Sequence, residues 1–245
     1  GTSEARLLAE TLTRDARHRA LLSFAGRTDS LVDPGVPHRV GGFGGKDGLV
    51  QFLRAGRYDV LIDATHAFAA QISRNAAAAA EELGLPMLRL VGAPWQRQPG
   101  DRWIEVTDMQ AAAAALGTQP RRVLLTVGRL ELPAFVAAPQ HDYLIRTVDP
   151  VVPPPQLTRA RVLCARGPFA LADERALLVT EGIERLVSKN AGTPSTYAKL
   201  EAARELGVPV VMVQRPRLPH VPEVATRAEA LSWLAQLHGS SRRGE

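Results

Sequence analysis

The sequence predicts an α/β protein of two similar halves, each a parallel sheet with helices on both faces. Three observations predict it. Short apolar runs, β-branched or leucine-rich, alternate with alanine-rich helical stretches along the chain. The strand runs are continuously apolar, as strands covered on both faces are. A five-residue motif also recurs: Glu82-Leu83-Gly84-Leu85-Pro86 returns as Glu205-Leu206-Gly207-Val208-Pro209, 123 positions later (205 against 82).

In chain order, helices are expected over residues 3–14, 46–55, 68–83, 109–116, 171–181, 195–206 and 228–237. Strands are expected over 20–24, 60–63, 87–91, 123–127, 143–146, 162–165, 185–188 and 210–213. Gly84 and Gly207 each follow a Glu-Leu pair and fit a left-handed position just past a helix. Each copy of the motif is preceded by a strand, a polar loop and a long Ala-rich helix, and followed by an apolar strand. The halves therefore divide near Gly117–Arg121, into domains 1–118 and 119–245 related by internal duplication. The segment 218–245 is free to cross back to the first half. Two such sheets create a cleft at their carboxyl edges, where open α/β sheets bind ligands. The chain opens on a helix start with no strand before it. A sheet lacking its central strand would be badly destabilised, so the amino end reads as incomplete.

Composition narrows the function. Of 245 residues, 45% are hydrophobic and 22% charged, which excludes a disordered tail or a disulfide scaffold. The single cysteine, Cys164, allows no internal disulfide and no multi-thiolate metal site, and it reads as core. No apolar run approaches the roughly 20 residues that span a bilayer, and no signal peptide opens the chain. A cytoplasmic protein is expected. The net charge is +5, and only three of the 30 basic residues are lysine: Lys46, Lys189 and Lys199. The basic residues are scattered, with no run of five, and aromatics are 5% of the chain. That argues against a nucleic-acid surface and for a small polyanionic ligand.

The candidate site residues stand at strand ends. Gly1, Thr2 and Ser3 open the first helix, where a glycine and free N–H groups favour a phosphate. Ser23 to Arg27 close the next strand about 20 residues on; an arginine there, with no acid, favours the 2′-phosphate of NADPH over NADH. Gly41-Gly42-Phe43-Gly44-Gly45 is a loop over the cleft or an ordinary turn. Asp63-Ala64-Thr65-His66 ends a buried strand; His66 is a candidate proton donor, Asp63 a loop-ordering residue, and Thr65 or His66 a helix cap. In the second half, Lys189 and Lys199 flank one strand–helix junction that also carries Asn190, Gly192, Ser195, Thr196 and Tyr197. Ser195 and Thr196 are expected to cap its helix. Arg129, Arg146 and Arg166 close three further strands, and several separate cations on one edge suit a ligand with several carboxylates. There is no Ser/His/Asp triad, no metal-ligand cluster and no phosphate loop of the GxxxxGK type.

Together, Gly1 to Arg6, Ser23 to Arg27, Asp63 to Ala69, Arg166 to Phe169 and Lys189 to Lys199 resemble the precorrin-6A reductase family, in order along essentially the whole chain. The resemblance implies two Rossmann-like domains with NADPH and a tetrapyrrole between them. It also implies hydride transfer to C19 of precorrin-6A in cobalamin biosynthesis. Gly1, Thr2, Ser3 and Arg27 would hold the nucleotide, with Thr65 and His66 near the nicotinamide or the macrocycle. Lys189, Asn190, Gly192, Ser195, Thr196 and Lys199 would face the substrate, with His66, Tyr197, Lys189 or a water as proton source. Two departures stand out: Ala67 replaces the usual proline after the histidine, and Ala191-Gly192-Thr193 replaces a serine and two glycines. The alternatives are a cobalt-precorrin-6A reductase and a non-catalytic NADP-sensing module. Partners would be the polycarboxylate substrate and, transiently, corrin methyltransferases receiving the product.

Overall fold

Every strand pairing among the described residues is parallel. This computed structural model describes residues 2–26, 33–152 and 156–241. The chain forms two compact units: residues 1–93 with 217–245, and residues 94–216.

Unit 1 contains α1 (Ser3–Thr13), β1 (Leu22–Phe24), β2 (His38–Val40), α2 (Lys46–Ala55), β3 (Leu61–Asp63), α3 (Ala70–Leu83) and β4 (Met87–Leu90). Unit 2 runs through β5 (Trp103–Val106), α4 (Met109–Ala115), β6 (Arg122–Thr126), β7 (Asp142–Thr147), β8 (Ala160–Cys164), α5 (Leu171–Thr180), β9 (Arg185–Lys189), α6 (Ala198–Glu205) and β10 (Val210–Val213). The chain then returns to unit 1 with β11 (Glu223–Val224) and α7 (Arg227–Ser241).

In unit 1, β1 pairs β2, and a second sheet has the order β11-β4-β3. Alternation along β4 sends side chains to opposite faces. Met87 packs with Leu49, Leu53, Ala76 and Ala80 of α2 and α3. Leu88 and Leu90 pack with Leu8 and Leu12 of α1 and with Ala230 and Leu234 of α7. These burials explain why the alanine-rich helices form: one stripe of each is needed to cover a sheet face.

Unit 2 is a six-stranded sheet of order β5-β10-β9-β6-β7-β8. Counting from β6, the chain steps outward through β7 and β8, then crosses to β9 and β10 on the other side. The order reverses between β6 and β9, so their carboxyl ends form the switch point where such sheets bind ligands. The central strands bury Leu124, Leu125, Leu186, Val187, Val211 and Met212 completely.

The expected division near Gly117–Arg121 differs from the observed one. Residues 94–118 belong to unit 2 because β5 pairs with β10 along its length. The recurring motif has the same local geometry in both places. Gly84 and Gly207 are left-handed at φ 64° and 66°. The next residues, Leu85 and Val208, donate back to Ala80 and Ala203 at 2.9 and 2.8 Å. The sheets around the two copies are not alike, having three strands in one case and six in the other. Cys164 is exposed rather than core, because β8 is the edge strand of the larger sheet.

Candidate active site

In unit 1, the amino end of α1 is tied to the carboxyl end of β3. The Thr2 hydroxyl accepts from the Ala5 N–H at 3.1 Å and donates to the Ala64 carbonyl at 2.8 Å. Thr2 is thus the N-cap, and Ser3 is exposed on the first turn. The amino end of α1 therefore lies at a strand end, a place where a nucleotide phosphate can bind. Gly1 and Arg27 lie outside the described residues.

A cation, Arg39, stands at the neighbouring strand pair. Arg39 donates to the Ser23 hydroxyl at 2.9 Å and to the Gly41 carbonyl at 2.8 Å, and lies 4.1 Å over the Phe43 ring. The glycine loop is therefore strapped down by Arg39. That role was hidden in the sequence, because β2 has no apolar signature.

Asp63 orders the loop after β3, as its spacing implies. It is buried, and its Oδ1 accepts from the Thr65 N–H at 3.0 Å and the Thr65 hydroxyl at 2.7 Å. Its other oxygen lies 3.7 Å from the Nε of buried Arg89, which also pairs with Glu223 at 2.5 Å. His66 is exposed; its Nδ1 accepts from Phe68 at 3.3 Å and its carbonyl from Ala69 at 2.7 Å. The helix begins at Ala70 with Ala69 as N-cap, so neither Thr65 nor His66 caps it.

In unit 2, four strand-end segments carry the candidate substrate residues. Lys189, at the end of β9, pairs with Glu131 at 2.9 Å. Glu131 lies in the 3-10 turn Arg129–Ala137 that follows β6, so the pair bridges the switch point. Arg129, the first residue of that turn, is exposed. Arg166 is exposed and 3.9 Å from Asp149. The loop after it packs on the loop after β9: Phe169 donates to the Ser195 carbonyl at 3.2 Å. A Cβ on Gly167 would come within 3.2 Å of the same carbonyl.

Arg146 and Lys199 are buried rather than open to solvent. Arg146 pairs with buried Glu174 of α5 and lies 4.1 Å over Phe169. Lys199 is 4% exposed, donates to the Thr196 carbonyl at 2.7 Å and faces the Trp95 ring at 4.9 Å. Burial, then repulsion from Arg146, pulls its ammonium down to about 7. Lys189 also repels it and Glu174 attracts it, so these four charges form one cluster beneath the strand ends.

Asn190 is buried and structural. Its side chain accepts from the Trp95 N–H at 2.7 Å and donates to the Trp95 carbonyl at 3.1 Å. Gly192 is left-handed at φ 72°. Ser195 and Thr196 sit in a separate 3-10 turn, Pro194–Thr196, and do not cap α6; the Thr196 hydroxyl donates to Thr193 instead, at 3.3 Å. Pro194, which fixes φ, starts that turn before the helix can begin. The Tyr197 hydroxyl accepts from Arg204 at 2.6 Å, and Arg204 is held by buried Asp101 at 2.8 Å.

Glu131, Glu174 and Arg215 escaped the sequence reading. Arg215 alone had a usable signal: it follows an apolar strand, as Arg129, Arg146 and Arg166 do. Its guanidinium grips two consecutive carbonyls, Asn190 at 3.0 Å and Ala191 at 2.9 Å. Among the described residues, no group of three or more His, Cys, Asp or Glu side chains could hold a metal ion, and no helix is long and apolar enough to cross a membrane.

The model of the family "Precorrin-6x reductase CbiJ/CobK" matches residues 1–235. A precorrin-6A reductase of a Sinorhizobium species is 47% identical, covering 96% of this chain and 92% of its own. That of Rhodobacter capsulatus is also 47% identical, covering 100% and 96%. The solved structure "CobK precorrin-6A reductase" superposes with a TM-score of 0.91 at 47% identity, over 96% of this chain and 94% of that one. With the fold, the strand-end cations and these relatives in agreement, the chain belongs to the CbiJ/CobK precorrin-6x reductase family.

Proposed function

We propose that this protein is the NADPH-dependent precorrin-6A reductase of cobalamin biosynthesis. Hydride passes from NADPH to C19 of metal-free precorrin-6A, and with one proton this reduces the C18–C19 double bond to give precorrin-6B and NADP⁺. One observation carries the substrate. Relatives named precorrin-6A reductase are 42–47% identical over 96–100% of the chain, whereas those named cobalt-precorrin-6A reductase reach 28–31% over 69–78%. The metal-free ring is therefore the favoured substrate, and the cobalt ring is the second reading.

NADPH, when bound, supplies the hydride. The residues present fit it: a helix start beside a strand end in unit 1, with Ser3 exposed there. Gly1, Thr2, Ser3 and Thr65 would line the nucleotide, and Arg27 would meet the 2′-phosphate. On unit 2, Lys189, Arg129, Arg166, Ser195 and the Gly192 backbone would receive substrate carboxylates. Arg146, Asn190, Thr196 and Lys199 would shape that surface from beneath. Chemistry requires the nicotinamide C4 about 3–3.5 Å from the ring carbon, so orientation dominates. His66 is exposed and within reach of solvent to supply the proton; Tyr197, held by Arg204, is the other candidate. Product passes to a methyltransferase in the cytoplasm.

Arg27→Ala tests the cofactor choice. NADPH affinity should fall by about tenfold or more while NADH affinity changes little, since a charge-assisted phosphate contact is lost. Equal loss for both nucleotides would remove Arg27 from the 2′-phosphate.

A further inference from the structure

The loop after β9 is gripped from an unexpected side. Arg215 lies just past β10, and its Nε and Nη2 donate to the carbonyls of Asn190 and Ala191 at 3.0 and 2.9 Å. One planar guanidinium presents a rigid fork that matches two adjacent acceptors; an ammonium on its flexible stem has no such fixed pair of donors. In a trans peptide the C=O and the following N–H point opposite ways. Drawing the Ala191 carbonyl toward Arg215 therefore turns the Gly192 N–H away from it. Gly192 is left-handed at φ 72°, and among the described residues its N–H takes no hydrogen bond. The preceding residue of the loop's strand end is Lys189, paired with Glu131 across the switch point. Asn190 in turn clamps both backbone groups of Trp95. Trp95 and Arg215 stand near the two ends of unit 2, so both ends of that unit are anchored on the same two-residue segment.

We propose that Arg215 is a positioning residue for substrate: by holding the Asn190 and Ala191 carbonyls it aims the Gly192 N–H at a substrate carboxylate and keeps both carbonyls from facing it. Misplaced carbonyls would repel a carboxylate; a presented N–H beside an ammonium attracts one. The proposal rests on the substrate reading above and extends it to a residue that need not touch the ligand.

The test compares Arg215→Ala and Arg215→Lys with the wild type in two assays. In steady-state reduction of precorrin-6A, Arg215→Ala should raise KM by about ten- to a hundredfold, the scale of lost charge-assisted hydrogen bonds, with kcat little changed. Arg215→Lys keeps the charge but should recover little of that KM. In hydrogen exchange on the ligand-free protein, the amides of residues 191–193 should exchange faster in both variants. Wild-type KM in Arg215→Lys would show that charge alone suffices and overturn the proposal, as would unchanged exchange. Should Arg215→Ala be too unstable to assay, Arg215→Lys carries the test. Failure of the wild type to turn over precorrin-6A would instead strike the substrate reading, and the exchange result would still decide the clamp.

Discussion

Lys199 shows how a strand-end cation becomes part of the scaffold. Its aliphatic stem is packed in the unit 2 core, and its ammonium has one backbone acceptor and one aromatic face. Among its neighbours, Arg146 and Lys189 disfavour its charge and Glu174 favours it. The folded protein releases this proton near 7, whereas the unfolded chain holds it up to about 10.5. Between those values unfolding takes up a proton, so stability rises with pH across that window. Below about 7 both states are charged and the full burial cost is present. Thermal melts of Lys199→Met should lose this pH-dependent rise, a difference on the order of a few kcal/mol. Identical pH slopes in the two proteins would return Lys199 to an ordinary exposed amine. The sequence singled out Lys199 through its rarity but gave no sign of its depth. Burial depends on Trp95, which lies more than one hundred positions away (199 against 95) and arrives only through folding.

Elements were legible where their own residues demanded burial. The central strands β6 and β10 carry the apolar runs Val123–Leu125 and Val210–Val213, β9 buries Leu186 and Val187 at its middle, and each was expected almost to the residue. The strands β2, β5 and β11 were not expected. They are short, edge-lying and half exposed, so pairing on one side, not composition, makes them strands. The glycine loop before α2 was legible as a turn but not as a packed one. A Cβ on Gly48 would stand 1.7 Å from the Phe43 carbonyl oxygen. Gly48→Ala must therefore displace either the loop or the first turn of α2. Overpacking of this kind costs about 1–3 kcal/mol, which lowers Tm by about 2–4 °C per kcal/mol in a protein of this size. A calorimetric Tm equal to the wild type would show that the loop yields freely.

Under the proposed function the two units divide the work of one reaction. Unit 1 offers a helix start at a strand end, with Ser3 exposed, suited to a phosphate. Unit 2 offers a switch point with exposed Arg129 and the Lys189–Glu131 pair, read here as the carboxylate side. The motif that marked a repeat was real in its local geometry, yet the sheets built around it differ in strand number. A helix cap is set by five or six neighbouring residues; sheet size is set by which segments return, and residues 217–245 return to unit 1. Oxidation of NADPH in the presence of metal-free precorrin-6A, with NADH and the cobalt-containing ring run beside it, decides substrate and cofactor together. Oxidation of NADPH, weak oxidation of NADH and a product heavier by two hydrogens is the predicted result. Turnover of the cobalt ring alone, or tight NADPH binding with turnover of neither ring, would contradict it.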